Sequence, residues 1–435
     1  MPLRDLALTL FVFGMVPAIL REPRIGVLMW AWLSYMNPHR LAWGFAMNFP
    51  FAQTVAIALF ASLAITKERL RLPVTPVTVV WFMFLAWMGI TTLFAIFPED
   101  AFSAYIEILK IQLLTLITVM VMTSRERINQ LIWVIVLSIG YYSVKGGVFT
   151  LLTGGAYRVY GPAASFLAEN NAMALATLMV IPLMEYLRQT AESKWIRWAL
   201  LASIFLSLVS VAGSQSRGAF LAMFAVAFFF WVKSSNKAAW GLAFLVAIPA
   251  IFMFMPESWH ERMQSIAEYQ QDGSAMGRIN AWHYSVNVAN DRITGGGLEA
   301  YRPSTFAVYA PNPRSVVVAH SIYFSVIGDH GWIGLVLWFM IYLLTWRAAG
   351  WIRRHSKGYE ELKWAGQLAR MMQVGLLAYA SGGAFLSLSY FDLPWHYVGI
   401  LLVTREIVKR KLAESPAALS ARAGPARSLP AGLAD

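Results

Sequence analysis

The residues best suited to chemistry in this sequence are one histidine and three arginines in polar stretches between apolar runs. His320 stands at the start of a long apolar run, where an imidazole can accept a proton near neutral pH. The positive end of a helix disfavours imidazolium, so a histidine placed there keeps its neutral, basic form. A guanidinium presents a planar fork that matches two phosphate oxygens and stays charged when partly desolvated. The combination predicts a base beside a phosphate or pyrophosphate site.

The three arginines occupy short polar segments that differ in context. Arg217 follows Ser-Gln-Ser in a loop between two apolar runs, and Arg278 lies in the segment Gly-Arg-Ile-Asn-Ala-Trp at 277–282. Arg158 lies in a Gly/Pro-rich turn that precedes Glu169-Asn170-Asn171. Plain structural explanations stay open for each. Arg217 would extend its guanidinium to lipid headgroups, and Arg278 would lie on a solvated helix. Arg158 would belong to a simple turn, and the imidazole of His320 would bond to the backbone at the membrane interface.

The composition shows what kind of protein must position these groups. Of 435 residues, 58% are apolar and 13% are charged, and the mean hydropathy is +0.55. Soluble domains carry about 25% charged residues. The deficit extends over the whole length, so the chain is predicted to be an all-α polytopic membrane protein.

The net charge of +12 has a membrane explanation rather than a nucleic-acid one. Lysine and arginine cluster in short loops between apolar runs, as orientation by positive cytoplasmic loops requires. We therefore expect no nucleic-acid partner. The chain has no cysteine, which excludes disulfides, a thiolate nucleophile and a cysteine metal site.

Loop charge predicts about twelve spans with alternating sides. Basic loops are assigned to the cytoplasm and lie at 67–71, 124–127, 188–197, 233–237 and 346–363. The segments between them face outward, including the one long polar interval at 256–319. Residues 25–44 are expected to form a bent or partly inserted helix, because Asn37-Pro38 interrupts the run.

This pattern divides the chain into four predicted parts. They are an N-terminal transmembrane bundle at 1–255, a large outward loop with short helices at 256–319, C-terminal transmembrane helices at 320–410, and a disordered cytoplasmic tail at 411–435.

Three charged residues are expected within apolar runs and suggest a second class of function. Lys110 lies within the run 104–123, and Asp329-His330 lie about 15 Å into the run that starts at His320. Such groups usually face a cavity or each other, which keeps an ion-coupled transporter or flippase open. An outward Asp-x-Asp pair, a P-loop and His-Glu-x-x-His are all absent from the sequence. A metal-dependent transferase is therefore disfavoured, and no cofactor is expected.

Several segments together resemble the O-antigen ligase and O-antigen polymerase superfamily. They are Ser216-Arg217-Gly218, the Gly-Arg-Ile-x-x-Trp segment at 277–282, and His320-Ser321 followed by Gly328, Gly331 and Gly334. The segment 35–44, Tyr-Met-Asn-Pro-His-Arg-Leu-Ala-Trp-Gly, resembles the O-glycosylation ligase branch of that superfamily. The resemblance extends to about residue 408.

The resemblance implies a GT-C-like, metal-independent, inverting glycosyltransferase in the bacterial inner membrane. The expected donor is a glycan on undecaprenyl pyrophosphate, and the expected acceptor is a sugar hydroxyl of lipid A–core at the periplasmic face. His320 would be the catalytic base. Arg217 and Arg278 would bind the pyrophosphate, with Arg158 as a further partner, and membrane lipids would surround the protein.

Three alternatives remain at this point. An O-antigen polymerase joins two lipid-linked glycans, and a protein O-oligosaccharyltransferase uses a serine or threonine acceptor. Both share the donor chemistry of the ligase. The third alternative, a transporter or flippase, predicts that Lys110, Asp329 and His330 face a path across the membrane.

Overall fold

The computed structural model describes residues 3–233, 237–264, 270 and 272–414, and contains helices and loops but no strand within these ranges. The α-helices of the described residues are α1 (Leu3–Arg21), α2 (Pro23–Met36), α3 (Phe51–Ile65), α4 (Pro76–Leu93), α5 (Pro98–Val121), α6 (Arg125–Leu152), α7 (Asn170–Thr190), α8 (Lys194–Gly213), α9 (Arg217–Lys233), α10 (Lys237–Phe254), α11 (Glu257–Gln264), α12 (Gly273–Asp291), α13 (Pro303–Tyr309), α14 (Ile322–His355), α15 (Lys363–Gly382) and α16 (Asp392–Ala413). The predicted all-α class is confirmed.

Six helices in the described part of the chain are long and apolar enough to cross a membrane, namely α1, α4, α5, α6, α8 and α14. Two shorter apolar helices, Phe51–Ile65 and Arg217–Phe229, add to these. By length and hydropathy alone, the described helices therefore give fewer membrane spans than the expected number of about twelve. A physical reason is visible in α7, α15 and α16, whose side chains are mostly buried inside the bundle. A helix covered by protein does not need a uniformly apolar surface.

The basic loops meet at one end of the bundle. Arg127 forms a 2.7 Å ion pair with Glu68, and Arg410 donates a 3.1 Å hydrogen bond to the carbonyl oxygen of Thr123. The segment 255–320 belongs to the opposite end, which we call the loop end. The grouping of the basic loops thus follows the charge pattern of the sequence.

The N-terminal helices follow the predicted break. α2 ends at Met36, and Asn37 adopts a left-handed conformation with φ 46°. The turn that follows returns to the start of α1, because the backbone amide of Ala46 donates a 2.9 Å hydrogen bond to Asp5. At the other terminus, α16 runs to Ala413, past the predicted boundary at 411. The predicted disordered tail otherwise falls at 415–435, outside the described residues.

α14 is not one straight helix, because Gly331 breaks it with φ 65° and ψ −171°. The rings of Tyr323 and Trp338 lie 5.8 Å apart, although fifteen positions would span about 22 Å in a straight helix. The short arm 322–330 therefore folds back against the long arm 332–355. The long arm alone is about 36 Å long, enough to cross a bilayer.

The fold-back changes the position of Asp329 and His330. The backbone amide of Gly297 donates a 3.0 Å hydrogen bond to the carbonyl oxygen of Asp329, so this pair lies beside the loop segment 295–297. The imidazole Nδ1 of His330 is 2.7 Å from the hydroxyl of Thr91, near the end of α4. The expectation that the pair lies 15 Å along a straight helix is therefore wrong.

The predicted short helices of the long polar interval are α11, α12 and α13, and two of them build a small core of their own. The rings of Tyr284 on α12 and Phe306 on α13 stack at 4.4 Å, and both side chains are fully buried. α12 also packs along α14. This interval is thus a folded cap attached to the bundle rather than a loose loop.

Candidate active site

Three helices, α7, α9 and α14, pack on the glycine pair Gly382-Gly383. A Cβ atom on Gly382 would meet Leu175 of α7 at 2.8 Å and Ala222 of α9 at 3.1 Å. A Cβ atom on Gly383 would meet Ile322, the first residue of α14, at 2.5 Å. The absence of side chains here lets the second turns of α7 and α9 pack closely on Gly382, and the first residue of α14 pack closely on Gly383.

His320 precedes α14 in a strained backbone conformation. Its φ of 44° lies in the left-handed region, which non-glycine residues adopt at a free-energy cost of about 1–3 kcal/mol. The indole Nε1 of Trp282 holds the preceding carbonyl, that of Ala319, at 2.8 Å. The next residue, Ser321, is buried, and its hydroxyl has no hydrogen-bond partner among the described residues. The neighbouring structure thus imposes the position of the half-buried imidazole.

Arg217 opens α9 after a tightly bonded loop. The amide of Asn170, the first residue of α7, donates a 2.8 Å hydrogen bond to the carbonyl oxygen of Ser214. Gln215 adopts φ 53°, which turns the chain sharply before Arg217. The guanidinium of Arg217 then forms an ion pair with the carboxylate of Asp272.

Arg278 lies in the second turn of α12. Asp272 caps this helix by accepting hydrogen bonds from the amides of Ser274 at 2.8 Å and Ala275 at 3.3 Å. The segment 277–282 therefore lies inside α12 and does not open it. Arg278 is half-buried, and its Nε has no hydrogen-bond partner in the described part of the chain.

A cleft of about 500 Å³ lies beside these residues. Its lining contains Arg158, Arg217 and Arg262, together with the acidic side chains of Glu261 and Asp272. Arg262 is a further arginine that was not among the expected site residues. Arg262 donates a 2.8 Å hydrogen bond from Nε to the carbonyl oxygen of Gln215. Arg262 belongs to no motif in the sequence, and its only signal was its place in the long polar interval 256–319.

The pKa shifts of three side chains indicate which charged groups of the site interact. Burial lowers the pKa of Arg262, and Arg158 and Arg217 lower it further. Burial also lowers the pKa of Arg278, and Arg217 adds to this effect. Burial and then Arg278 lower the pKa of His320 below its ordinary value. Arg278 therefore interacts both with Arg217 of the arginine-lined cleft and with the imidazole of His320.

The acidic residues compensate part of this positive charge. Burial raises the pKa of Asp272, but its hydrogen bond from Arg217 and those from two backbone amides bring the pKa below the ordinary value. Glu169 acts on both Arg278 and His320 and opposes the lowering of their pKa values.

The arrangement suits an anion next to a base. Backbone amides at helix starts and guanidinium forks both attract phosphate oxygens. Burial favours the neutral imidazole, the form that accepts a proton. Within residues 3–233, 237–264, 270 and 272–414, no group of three His, Asp or Glu side chains could hold a metal ion.

The structure thus groups the four residues that were expected at the site, namely Arg158, Arg217, Arg278 and His320. The positive charge of Arg217 lowers the pKa of Arg278, and that of Arg278 lowers the pKa of His320. Arg158 lines the same cleft as Arg217. The predicted roles of these residues remain predictions. Trp282, expected at the lipid interface or on a sugar, instead stacks on Phe324 with ring centroids 4.9 Å apart.

Two family models match the chain. Residues 3–192 match a family of unknown function (DUF5935), and residues 202–339 match a family described as O-antigen ligase. No curated protein matches the chain. The O-antigen ligase match covers Arg217, Arg262, Arg278 and His320. The match over residues 202–339 supports the assignment of this multi-pass membrane protein to the O-antigen ligase-like superfamily.

Proposed function

We propose that this protein transfers a glycan from undecaprenyl pyrophosphate to a sugar hydroxyl of lipid A–core, without a metal ion. The reaction would take place at the periplasmic face of the bacterial inner membrane, with inversion at the transferred sugar. The observation that carries the proposal is the convergence of four arginines and one half-buried imidazole at the loop end of the bundle.

In the proposed reaction the pyrophosphate lies in the cleft lined by Arg158, Arg217 and Arg262. Arg278, which interacts with both Arg217 and His320, would lie next to the bond that breaks. His320 accepts the proton of the acceptor hydroxyl, whose oxygen forms the new bond to the anomeric carbon. The electron pair of the broken carbon–oxygen bond goes to the pyrophosphate, where the guanidiniums stabilise the developing negative charge.

The choice of a ligase rests on the description of the matching family over residues 202–339. The polymerase and the protein O-oligosaccharyltransferase would use the same donor half of the site. The transporter alternative gains no support from the three side chains that it requires. Lys110 pairs with Glu107 on the exposed surface of α5, whereas Asp329 and His330 are buried.

The test is transfer by purified protein in detergent or liposomes, without added metal, from one lipid-linked glycan donor to separate acceptors. Product on lipid A–core supports the ligase. Elongation of the lipid-linked glycan would indicate the polymerase, and a glycosylated protein would indicate the oligosaccharyltransferase.

His320→Ala is the informative variant, and we expect its turnover to fall by about 10²- to 10⁴-fold while the fold is kept. His283→Ala is the matched control, because His283 is an exposed imidazole on α12 that lies outside the cleft. Full turnover in a folded His320→Ala protein would remove the base from the proposal.

A further inference from the structure

The segment that connects α2 to α3 carries charged and aromatic side chains that the proposed reaction does not use. The ring centroids of Tyr35, near the end of α2, and Phe391, just before α16, lie 6.2 Å apart. Ser389, two residues before Phe391, donates a 3.1 Å hydrogen bond to the carbonyl oxygen of Ile322, the first residue of α14. Residues 37–47, which we call the N-terminal turn, therefore belong to the loop end of the bundle.

Arg4 of α1 contacts the N-terminal turn in two places. Its guanidinium donates a 3.3 Å hydrogen bond to the carbonyl oxygen of Leu41 and lies 4.5 Å from the ring centroid of Trp43. The adjacent acidic residue, Asp5, is fully buried and accepts a 2.9 Å hydrogen bond from the backbone amide of Ala46. A ligand at the surface of the turn therefore meets the charge of Arg4, whereas the carboxylate of Asp5 is inaccessible to it.

Arg40 supplies a second guanidinium from the same turn. It lies in the 3₁₀-helix Pro38–Leu41, directly before the residue that accepts the hydrogen bond from Arg4, and it is half-buried. Among the residues that the structure describes, its Nε is buried without a hydrogen-bond partner and its guanidinium forms no ion pair. The Nδ1 of the neighbouring His39 is buried without a partner in the same way. Because a buried polar atom without a partner costs free energy, these two atoms indicate a place for a polar ligand.

The N-terminal turn lies where lipid headgroups meet the protein. α1, on which it packs, is the least covered of the six candidate spans, with 22% of its apolar window buried. Trp43 is 76% exposed, and Phe45 and Met47 are also exposed. Exposed aromatic side chains at the end of a membrane bundle lie at the level of the headgroups. Arginines on the outward side run against the usual orientation of charge, so the two guanidiniums beside these rings need a local explanation.

We propose that the N-terminal turn and Arg4 bind the phosphate of an anionic glycerophospholipid in the outward-facing leaflet. The guanidinium of Arg40 binds phosphate oxygens, and that of Arg4 adds a second positive charge. Trp43 and Phe45 contact the glycerol backbone and the first methylene groups of the lipid, which a free phosphate lacks. This inference does not rest on the proposed function, because none of these residues binds the donor or the acceptor in the proposed reaction.

The experiment uses the whole protein in a neutral detergent, with one fluorescent label on the turn. The chain has no cysteine, so Met47→Cys provides a single attachment point. Titration with dioleoylphosphatidylglycerol should change the emission of the label until the site is saturated. Dioleoylphosphatidylcholine, which has a zwitterionic headgroup, and glycerol phosphate, which has no acyl chain, should give no saturable change at the same concentrations. Native mass spectrometry of the unlabelled protein gives an independent count of bound lipid.

Arg40→Gln is the informative variant, because Arg40 makes no ion pair in the fold that the substitution could break. We expect the apparent Kd of phosphatidylglycerol to rise at least about tenfold, and Arg4→Gln should raise it in the same direction. Arg40→Lys keeps the charge and should recover part of the affinity. Arg314→Gln and Arg69→Gln each remove one exposed positive charge, from the cap and from a basic loop, and should leave the Kd within about twofold.

Four results overturn the inference, once thermal unfolding has shown that the variants are folded. The first is an emission change that does not saturate with phosphatidylglycerol, and the second is an equal response to phosphatidylcholine. The third is a Kd that Arg40→Gln leaves unchanged or raises only as much as Arg314→Gln and Arg69→Gln do, which would indicate attraction by net charge alone. The fourth is saturation by glycerol phosphate, which would indicate a site for free phosphate instead of a lipid.

Discussion

The indole Nε1 of Trp282 donates a 2.8 Å hydrogen bond to the carbonyl oxygen of Ala319, the residue directly before His320. The same indole stacks on Phe324 of α14 with centroids 4.9 Å apart. One side chain of the cap therefore fixes both the strained turn that carries the imidazole and the helix that follows it. The geometry of the proposed base depends on the cap as much as on the bundle.

Trp282→Phe tests this dependence, since phenylalanine keeps the stack and loses the hydrogen bond. A bond worth about 1 kcal/mol corresponds to roughly fivefold in turnover, and we expect kcat to fall by that factor with little change in donor KM. Trp332→Phe is the control, because it removes a similar 2.9 Å bond to Asn290 away from the cleft. Equal kcat values for the two variants would contradict the prediction.

Arg278 should behave as a guanidinium fork and not simply as a positive charge. We expect Arg278→Ala to raise the donor KM at least about tenfold, because hydrogen bonds to charged groups contribute about 1.5–3 kcal/mol. Arg278→Lys should recover only part of the loss, since an ammonium cannot bind two oxygens in one plane.

Arg314→Ala serves as the control for Arg278, because it removes an exposed arginine from the same cap. Steady-state kinetics with varied donor would show the difference between the two sites. Full recovery in Arg278→Lys would argue for a simple charge effect.

Asp272 combines two tasks that substitutions can separate. Asparagine caps a helix about as well as aspartate but cannot pair with Arg217, whereas alanine does neither. We expect Asp272→Ala to be less stable than Asp272→Asn by about 1 kcal/mol in thermal unfolding. If the cap of α12 does not stabilise the protein, Asp272→Ala and Asp272→Asn will have the same unfolding temperature.

The stabilising effect of the Asp272 carboxylate should depend on pH in a defined direction. Burial raises its pKa, but the hydrogen bond from Arg217 brings the pKa below the ordinary value of 3.8. A carboxylate with a lowered pKa in the folded state stabilises the fold fully above the unfolded pKa and loses this effect as the pH falls. The stability advantage over Asp272→Asn should therefore begin to shrink below about pH 4 and should disappear once the pH falls below the lowered folded-state pKa.

Gly331 should tolerate no side chain. Its φ of 65° disfavours other residues, and a Cβ atom would lie 2.4 Å from the carbonyl oxygen of Ile293. We expect Gly331→Ala to destabilise the protein by about 1–3 kcal/mol and to lower its unfolding temperature. Gly14→Ala is the matched control, because a Cβ atom at Gly14 in α1 meets nothing within 4 Å. A Gly331→Ala protein as stable as the control would contradict the observed fold-back.

The sequence by itself determined the membrane class, the helical cap and the position of the first break. Apolar runs and charged loops indicate the environment of each segment directly. Each charged residue has its own free-energy cost of transfer into lipid, whatever residues lie far away in the chain. The same local logic marked Arg217, Arg278 and His320, since each lies in a polar segment at the edge of an apolar run.

Only the tertiary structure decided which of these segments meet. Arg158 and Arg262 are far apart in sequence, yet both line one cleft with Arg217. The turn at Gly331 and the place of Arg262 were equally invisible in the sequence. Both depend on contacts with distant segments, such as the hydrogen bond from Arg262 to Gln215, and such contacts leave no periodic pattern in the chain.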